Sequence, residues 1–256
     1  MPMQFHIIIK KEDKIMANKF LNRITLQGAK DFEIEQVFDF FRGVNGEMDF
    51  NKIIPMPKEL VHMDHSLRNN DALAYYNAIA FGDFKEIDFR IRDPYNEKAK
   101  TRKQYLAFLE DKYSNFEEVY LDDGRVLDNL YEYGKYLSFL DKKYGAHDWF
   151  VWSINNWNCK WNAFDISKEG NTLTFHTINN SAFHLILTAS EKHPEVEFVY
   201  ETCNEDVTVV GRLTLKAGEI IEEVDVEDGS KEDMFSEQVK LSLNMSQKIF
   251  QQKLRF

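Results

Sequence analysis

The sequence predicts an α+β fold in which a small antiparallel sheet packs against helices and a long helical segment interrupts the chain. Residues 20–27 alternate in polarity and are rich in β-branched side chains, which favours a strand. The segment 29–43 then shows the apolar spacing of a helix that packs on a sheet. This apolar face consists of Ile34, Val37, Phe38 and Phe41. Farther along, two alternating segments flank a turn at 168–171, which predicts a β-hairpin.

The remaining elements complete the order β-α-β-β-α-β. After the hairpin, Ser181 is a candidate cap for a helix that extends to residue 192, and an alternating strand follows at 196–203. This order is the split arrangement of ferredoxin-like folds, so we expect a ferredoxin-like core. A further strand is predicted at 207–215, and a broad apolar stripe after residue 230 predicts a C-terminal helix.

A helical insertion follows the first helix of this core. Helical periodicity recurs at 68–82, 101–113 and 124–143, whereas two prolines within 50–57 favour an edge strand or an extended loop. The predicted organisation is an N-terminal extension at 1–15, the first part of the core at 16–49, the helical insertion at 50–147, the second part of the core at 148–215, and an acidic segment with the C-terminal helix at 216–256.

The composition narrows the possible partners and the compartment. The 43 acidic and 32 basic residues give a net charge of −11, which makes nucleic acid an unlikely partner because phosphates would be repelled. The two cysteines, Cys159 and Cys203, are too few for a secreted disulfide scaffold and suit a reducing compartment. The sequence also has no apolar run of 18 residues. We therefore expect a cytoplasmic protein that does not cross a membrane.

No motif predicts a catalytic residue, a bound metal or a cofactor. The segment 62–65 contains two histidines and an aspartate, but no second metal-binding motif completes a site, which favours a polar turn before a helix. Cys159 and His176 resemble a nucleophile and a base, but nothing orients such a pair, so a buried structural thiol is expected instead. Glycine-rich phosphate-binding loops are absent.

The four tryptophans fall within 13 residues and alternate with asparagines. Exposed indole rings give large contact areas, so this segment is a candidate interaction surface. The predicted surface consists of Trp152, Trp157, Trp161 and Asn162. The alternative is structural: Asp148 would cap a short helix that Trp149 and Trp152 anchor, and the asparagines would hold the following turn.

The stretch 144–163 resembles the YubB-like ferredoxin-like family, which is found on bacterial plasmids and phages. This family typically reads Tyr-Gly-Ala-x-Asp-Trp-Tyr-x-Trp and then Asn-Trp-Gly-Thr-Lys-Trp-Asn-Ala; the chain reads YGAHDWFVW and then NWNCKWNA. Asn158 and Cys159 thus stand where the family has Gly-Thr. The resemblance covers most of residues 16–215 and implies a mobile-element protein whose biochemical role is not settled.

The leading functional hypothesis is a non-enzymatic accessory protein of a phage or plasmid that acts through contact with an unidentified protein partner. The tryptophans and the acidic surface would form that contact. A second hypothesis is an enzyme whose site lies in a groove between the insertion and the sheet. A third is a nucleic-acid-binding module or an acidic mimic of DNA; a nucleic-acid-binding module would need a positive patch around Lys98, Lys100, Arg102 and Lys103.

Overall fold

The computed structural model describes residues 18–204 and 210–224, which divide into two compact units. The first unit contains residues 18–53, 158–204 and 210–224, and the second contains residues 54–157. The predicted extension at 1–15 and the predicted C-terminal helix lie outside the described residues. The domain boundaries given above stay a prediction, although the second unit overlaps the predicted insertion over most of its length.

The described residues form both helices and strands. They are β1 (Lys19–Gln27), α1 (Asp31–Phe41), α2 (Phe50–Ile53), α3 (Lys58–Val61), α4 (Leu67–Phe81), α5 (Lys85–Arg92), α6 (Arg102–Lys112), β2 (Val119–Tyr120), β3 (Val126–Leu127), α7 (Leu130–Tyr144), α8 (Trp149–Trp157), β4 (Phe164–Glu169), β5 (Thr172–Ile178), α9 (Phe183–Lys192), β6 (Glu197–Asn204), β7 (Val210–Lys216) and β8 (Glu219–Val224). The α+β class predicted from the sequence is confirmed.

The first unit is built on a six-stranded sheet with the strand order β4-β5-β1-β6-β7-β8. Every neighbouring pair in this sheet is antiparallel. In the register, Leu21 of β1 lies opposite His176 of β5 and Cys203 of β6. Because strand side chains alternate between faces, these three side chains share one face of the sheet. Asn22 and Ile24 of β1 lie on the opposite face.

The helices of the first unit bury apolar faces that the sequence periodicity identifies. All four residues of the predicted stripe on α1 are buried. Helix α9 buries Leu185, Ile186 and Ala189 and contacts β6, β7 and β8. The predicted cap of α9 is wrong, since Ala182 rather than Ser181 occupies the N-cap and no side chain of the cap bonds to the helix.

The side chain of Asn22 in β1 bonds to the N-terminus of α9 instead. Asn22 Oδ1 of β1 accepts the N–H of Ala182 at 3.0 Å and the hydroxyl of Tyr200 at 2.6 Å. Its Nδ2 donates to Thr177 Oγ1 at 3.0 Å and to the Phe20 carbonyl at 3.2 Å. Asn22 is fully buried, and the four bonds satisfy the polar side chain at this position. They also tie α9 to the sheet.

The second unit is mainly helical, and α4 and α7 pack closely together. The two helices approach closely at Gly134 of α7, where an added Cβ would lie 2.1 Å from the carbonyl oxygen of Ala72. Helices α5 and α6 are tied to α4 through Asp71, whose carboxylate accepts from Arg90 at 2.5 Å and from Lys112 at 2.7 Å. A nearly buried carboxylate thus holds three helices through charged hydrogen bonds.

The structure corrects two predicted elements in part and adds a strand that was not predicted. Where an edge strand or an extended loop was predicted over 50–57, residues 50–53 form the short helix α2, and the prolines at 55 and 57 lie in the loop that follows it. The predicted helix at 124–143 begins only at Leu130, because β2 and β3 form a hairpin and Asn129 caps α7 by accepting the N–H of Glu132. Strand β8, which lies in the acidic segment and was not predicted, pairs with β7 while its side chains stay exposed.

No helix within 18–204 or 210–224 is long and apolar enough to cross a membrane.

Candidate functional site

The tryptophan-rich segment begins with helix α8, which Asp148 caps. Its Oδ1 accepts the N–H of Val151 at 2.8 Å, which satisfies one of the free donors at the helix start. The predicted capping role of Asp148 is therefore confirmed. Asn155 Nδ2 donates to the carbonyl of Gly145 at 3.3 Å, so the helix is also bound to the end of the preceding segment.

Trp152 and Trp157 are buried residues of the second unit. Each is 5% exposed, and their rings meet edge to face with centroids 5.5 Å apart. The Trp157 indole N–H donates to the carbonyl of Ile54 at 2.8 Å. Buried rings of this kind contribute packing, so neither side chain presents its area to a partner in this structure.

Trp161 is the exposed member of the predicted surface. It belongs to the first unit and is 48% exposed. The N–H of the preceding residue, Lys160, donates to the carbonyl of Ile178 at 3.0 Å, which fixes the backbone beside β5. The ammonium of Lys160 lies 4.3 Å from the centroid of the indole, within the range of a cation–π contact. A large ring is therefore held in place while half of its surface faces outward.

Asn162 fixes the backbone that follows Trp161. Its Oδ1 accepts the N–H of Phe50 at 2.8 Å and that of Ala163 at 3.1 Å, while Nδ2 donates to Asp49 Oδ1 at 3.1 Å. These bonds tie the chain after Trp161 to the start of α2. Asn162 therefore positions the backbone, and its amide is already engaged within the unit.

The two residues that depart from the YubB-like pattern have structural roles. Asn158 adopts φ +65°, the left-handed conformation that glycine and asparagine adopt most readily. Its side chain donates to the carbonyl of Ser181 at 3.3 Å. Cys159 is fully buried, and burial raises the pKa of its thiol to about 12. The expectation of a buried structural thiol is confirmed.

Aromatic and basic side chains of β1, β4 and β5 lie close together in the first unit. The rings of Phe164 and His176 lie 5.7 Å apart, and the ammonium of Lys19 is 5.8 Å from the Phe164 centroid. Burial lowers the pKa of His176, and its Nδ1 has no hydrogen-bond partner among the described residues. The carboxylate of Asp165 lies 3.9 Å from this nitrogen. An exposed ring beside a lysine can bind a flat or anionic group.

Sequence reasoning missed two polar centres, each of which contains a buried side chain. One is Asn22, whose signal is an amide at a buried position of an apolar strand. The other is the pair formed by His65 Nδ1 and Asp148 Oδ2 at 2.9 Å, since the two residues are 83 positions apart and no local pattern links them. Within 18–204 and 210–224, no group of three or more metal-binding side chains is close enough to hold an ion.

Comparison with known proteins gives one structural similarity. No family model matches the chain, and no curated protein matches it. Among solved structures, the chain is similar to the crystal structure of the protein api92 from Yersinia pseudotuberculosis, which is described as a member of the family DUF1281. The match covers 84% of this chain and 99% of that chain, with 10% sequence identity and a TM-score of 0.32.

Proposed function

We propose that this chain is a ferredoxin-like accessory protein of a mobile genetic element and that it acts by binding another protein through the surface around Trp161. The fold part of the proposal is supported by the strand order β4-β5-β1-β6 with α1 and α9 in the connections. The mobile-element part rests on the resemblance of residues 144–163 to the YubB-like family.

The exposure of Trp161 is the observation that carries the binding proposal. Tryptophan is enriched among the residues that contribute most to protein interfaces. A ring fixed by its neighbours also loses less conformational entropy on binding than a mobile one. Trp152 and Trp157 are buried, so the contact proposed from the sequence is narrowed to Trp161, with Asn162 and Lys160 as the residues that hold it.

A protein is favoured over a nucleic acid as the partner of this chain. Of the four cations that a nucleic-acid patch would need, Arg102 already makes two hydrogen bonds of 2.7 Å to Asp88. The net charge of −11 adds a general repulsion of phosphates. A protein partner requires no such excess of positive charge.

Affinity capture from the native host tests the proposal. We expect wild-type protein to capture a reproducible partner and Trp161→Ala to retain at least about tenfold less of it, since removal of a central aromatic residue often costs 2 kcal/mol or more. Phe32→Ala is the matched control, because Phe32 is 57% exposed in the same unit and also lies under a lysine, at 5.8 Å from Lys30 Nζ. Circular dichroism checks that both variants are folded.

Equal capture by wild-type protein and Trp161→Ala would refute this role of Trp161. Loss of capture in both alanine variants would point to a general effect of the surface and also contradict the proposal. Salt-dependent capture of DNA or RNA in place of a protein would favour the nucleic-acid hypothesis instead.

A further inference from the structure

Four acidic and imidazole groups alternate in a chain through the second unit. They are Asp141, His147, Asp148 and His65. The first contact is a hydrogen bond of 3.0 Å between Asp141 Oδ1 and His147 Nδ1. His147 Nε2 then lies 3.5 Å from Asp148 Oδ2, and the same carboxylate oxygen lies 2.9 Å from His65 Nδ1. The chain thus connects the last turns of α7, the start of α8 and the turn before α4.

Asp148 is the centre of this chain and is fully buried. Besides the two imidazoles, it accepts the N–H of Val151 and a bond of 3.2 Å from Asn69 Nδ2. Burial of a carboxylate is costly unless hydrogen bonds and an opposite charge compensate for it. Val151 and Asn69 supply neutral hydrogen-bond donors but no charge. A protonated imidazole beside Asp148 supplies the opposite charge that the buried carboxylate needs.

His147 is placed to carry that charge. Both of its ring nitrogens face a carboxylate, and only the protonated imidazole has an N–H on each nitrogen. Burial disfavours its protonation, but the hydrogen bond to Asp141 and the charges of Asp141 and Asp148 outweigh this effect and raise the pKa of His147 above 6.5. His147 is 14% exposed and Asp148 is fully buried, so solvent weakens their contact little, whereas Asp141 is 39% exposed and its contact is screened more.

The other charges around this chain are engaged elsewhere. Arg68 on α4 pairs with Asp64 at 3.4 Å and covers the ring of Tyr133. Lys143, in the last turn of α7, pairs with Glu59 at 3.0 Å. Among the described residues, His65 and His147 are the ionisable bases with a nitrogen within 4 Å of Asp148.

We propose that this chain of four residues is a proton-linked latch. Protonated His147 ties the end of α7 to the start of α8 and, through Asp148, to the turn that carries His65. When His147 loses its proton, Asp148 keeps its neutral donors but loses the adjacent cation, and the tie weakens.

The direction of the pH effect follows from the site. A base with a higher pKa in the folded than in the unfolded state stabilises the fold fully below its unfolded pKa, here about 6.5. This contribution is lost as the pH rises through the folded pKa of His147. The latch is therefore closed in mildly acidic solution and weakened in alkaline solution.

Thermal unfolding at pH 6 and pH 9 tests the latch. We expect the Tm of wild-type protein to fall by about 2–5 °C more between these two pH values than the Tm of His147→Gln, which cannot be protonated in this range. The matched control is His184→Gln, because His184 is an exposed histidine of the first unit. Its Tm should depend on pH as that of the wild type does, because the contacts of His147 with Asp141 and Asp148 are intact in this variant.

Parallel pH dependence of the wild type and His147→Gln would overturn the latch. If His147→Gln does not fold, NMR titration of the histidine ring protons in the wild-type protein decides. Titration of His147 above pH 6.5 supports the latch, and titration at or below 6.5 refutes it.

Discussion

Replacement of Gly134 by alanine is expected to lower the free energy of unfolding of the second unit by about 3 kcal/mol or more. The new methyl group would lie 2.1 Å from the carbonyl oxygen and 2.7 Å from the carbonyl carbon of Ala72, distances at which backbone atoms overlap. Relief requires α4 and α7 to move apart, which would disrupt their packing. The better helix propensity of alanine, worth about 1 kcal/mol, offsets only part of this cost.

Urea denaturation followed by circular dichroism measures this effect, with Gly211→Ala as the control. Gly211 lies in β7, and a methyl group there would meet its nearest neighbour, Thr202 Cγ2, at the ordinary distance of 3.7 Å. The control should therefore change stability by no more than about 1 kcal/mol. A Gly134→Ala variant as stable as the wild type would contradict the close approach of α4 and α7.

Replacement of Asn22 by alanine is expected to destabilise the first unit by about 3–5 kcal/mol. The substitution removes the acceptor of the Ala182 N–H and of the Tyr200 hydroxyl, and each buried donor without a partner costs about 1–3 kcal/mol. Burial raises the pKa of Tyr200 above its ordinary value, so this hydroxyl stays protonated and remains a donor that needs an acceptor. The loss of the amide also leaves space in a fully buried region.

Tyr200→Phe is the matched variant for this network. It removes one donor but leaves Asn22 Oδ1 bonded to Ala182, so we expect a loss of only about 1 kcal/mol in a urea titration. If the Asn22→Ala and Tyr200→Phe proteins were equally stable, Asn22 would not be the centre that ties α9 to the sheet.

The local periodicity of the sequence predicts those elements that bury one regular face. The stripe on α1 is an example, since each apolar residue at helical spacing is buried. The same reasoning fails where a turn competes with a helix. At 124–129 the residues have helix-compatible spacing, but the hairpin of β2 and β3 and the cap at Asn129 delay the helix to Leu130.

Contacts between distant residues account for most of what sequence reasoning missed. The pairing of His65 with Asp148 depends on the packing of the second unit, as does the need for glycine at position 134. Strand β8 was missed because its three glutamates suggest solvated surface, whereas its backbone bonds to β7 and its side chains stay exposed.

The predicted interaction surface shows both the use and the limit of composition. The density of tryptophans identifies an important segment, but similar residues in one run have opposite exposures. Trp157 is the buried last residue of α8 and bonds to Ile54, while Trp161, four positions later, lies beyond the left-handed turn at Asn158. Backbone conformation at one residue thus separates a packing ring from an exposed one. The role of this surface in binding stays a prediction.

Site-specific photo-crosslinking in the native host tests the central claim, that Trp161 is the contact residue for a partner protein. A photoreactive phenylalanine analogue is placed at position 161 in one variant and at position 32 in another, where Phe32 has similar exposure. We predict a discrete crosslinked protein of constant mass from position 161 and none from position 32. No crosslinked protein at position 161, or the same product from both positions, would contradict the account.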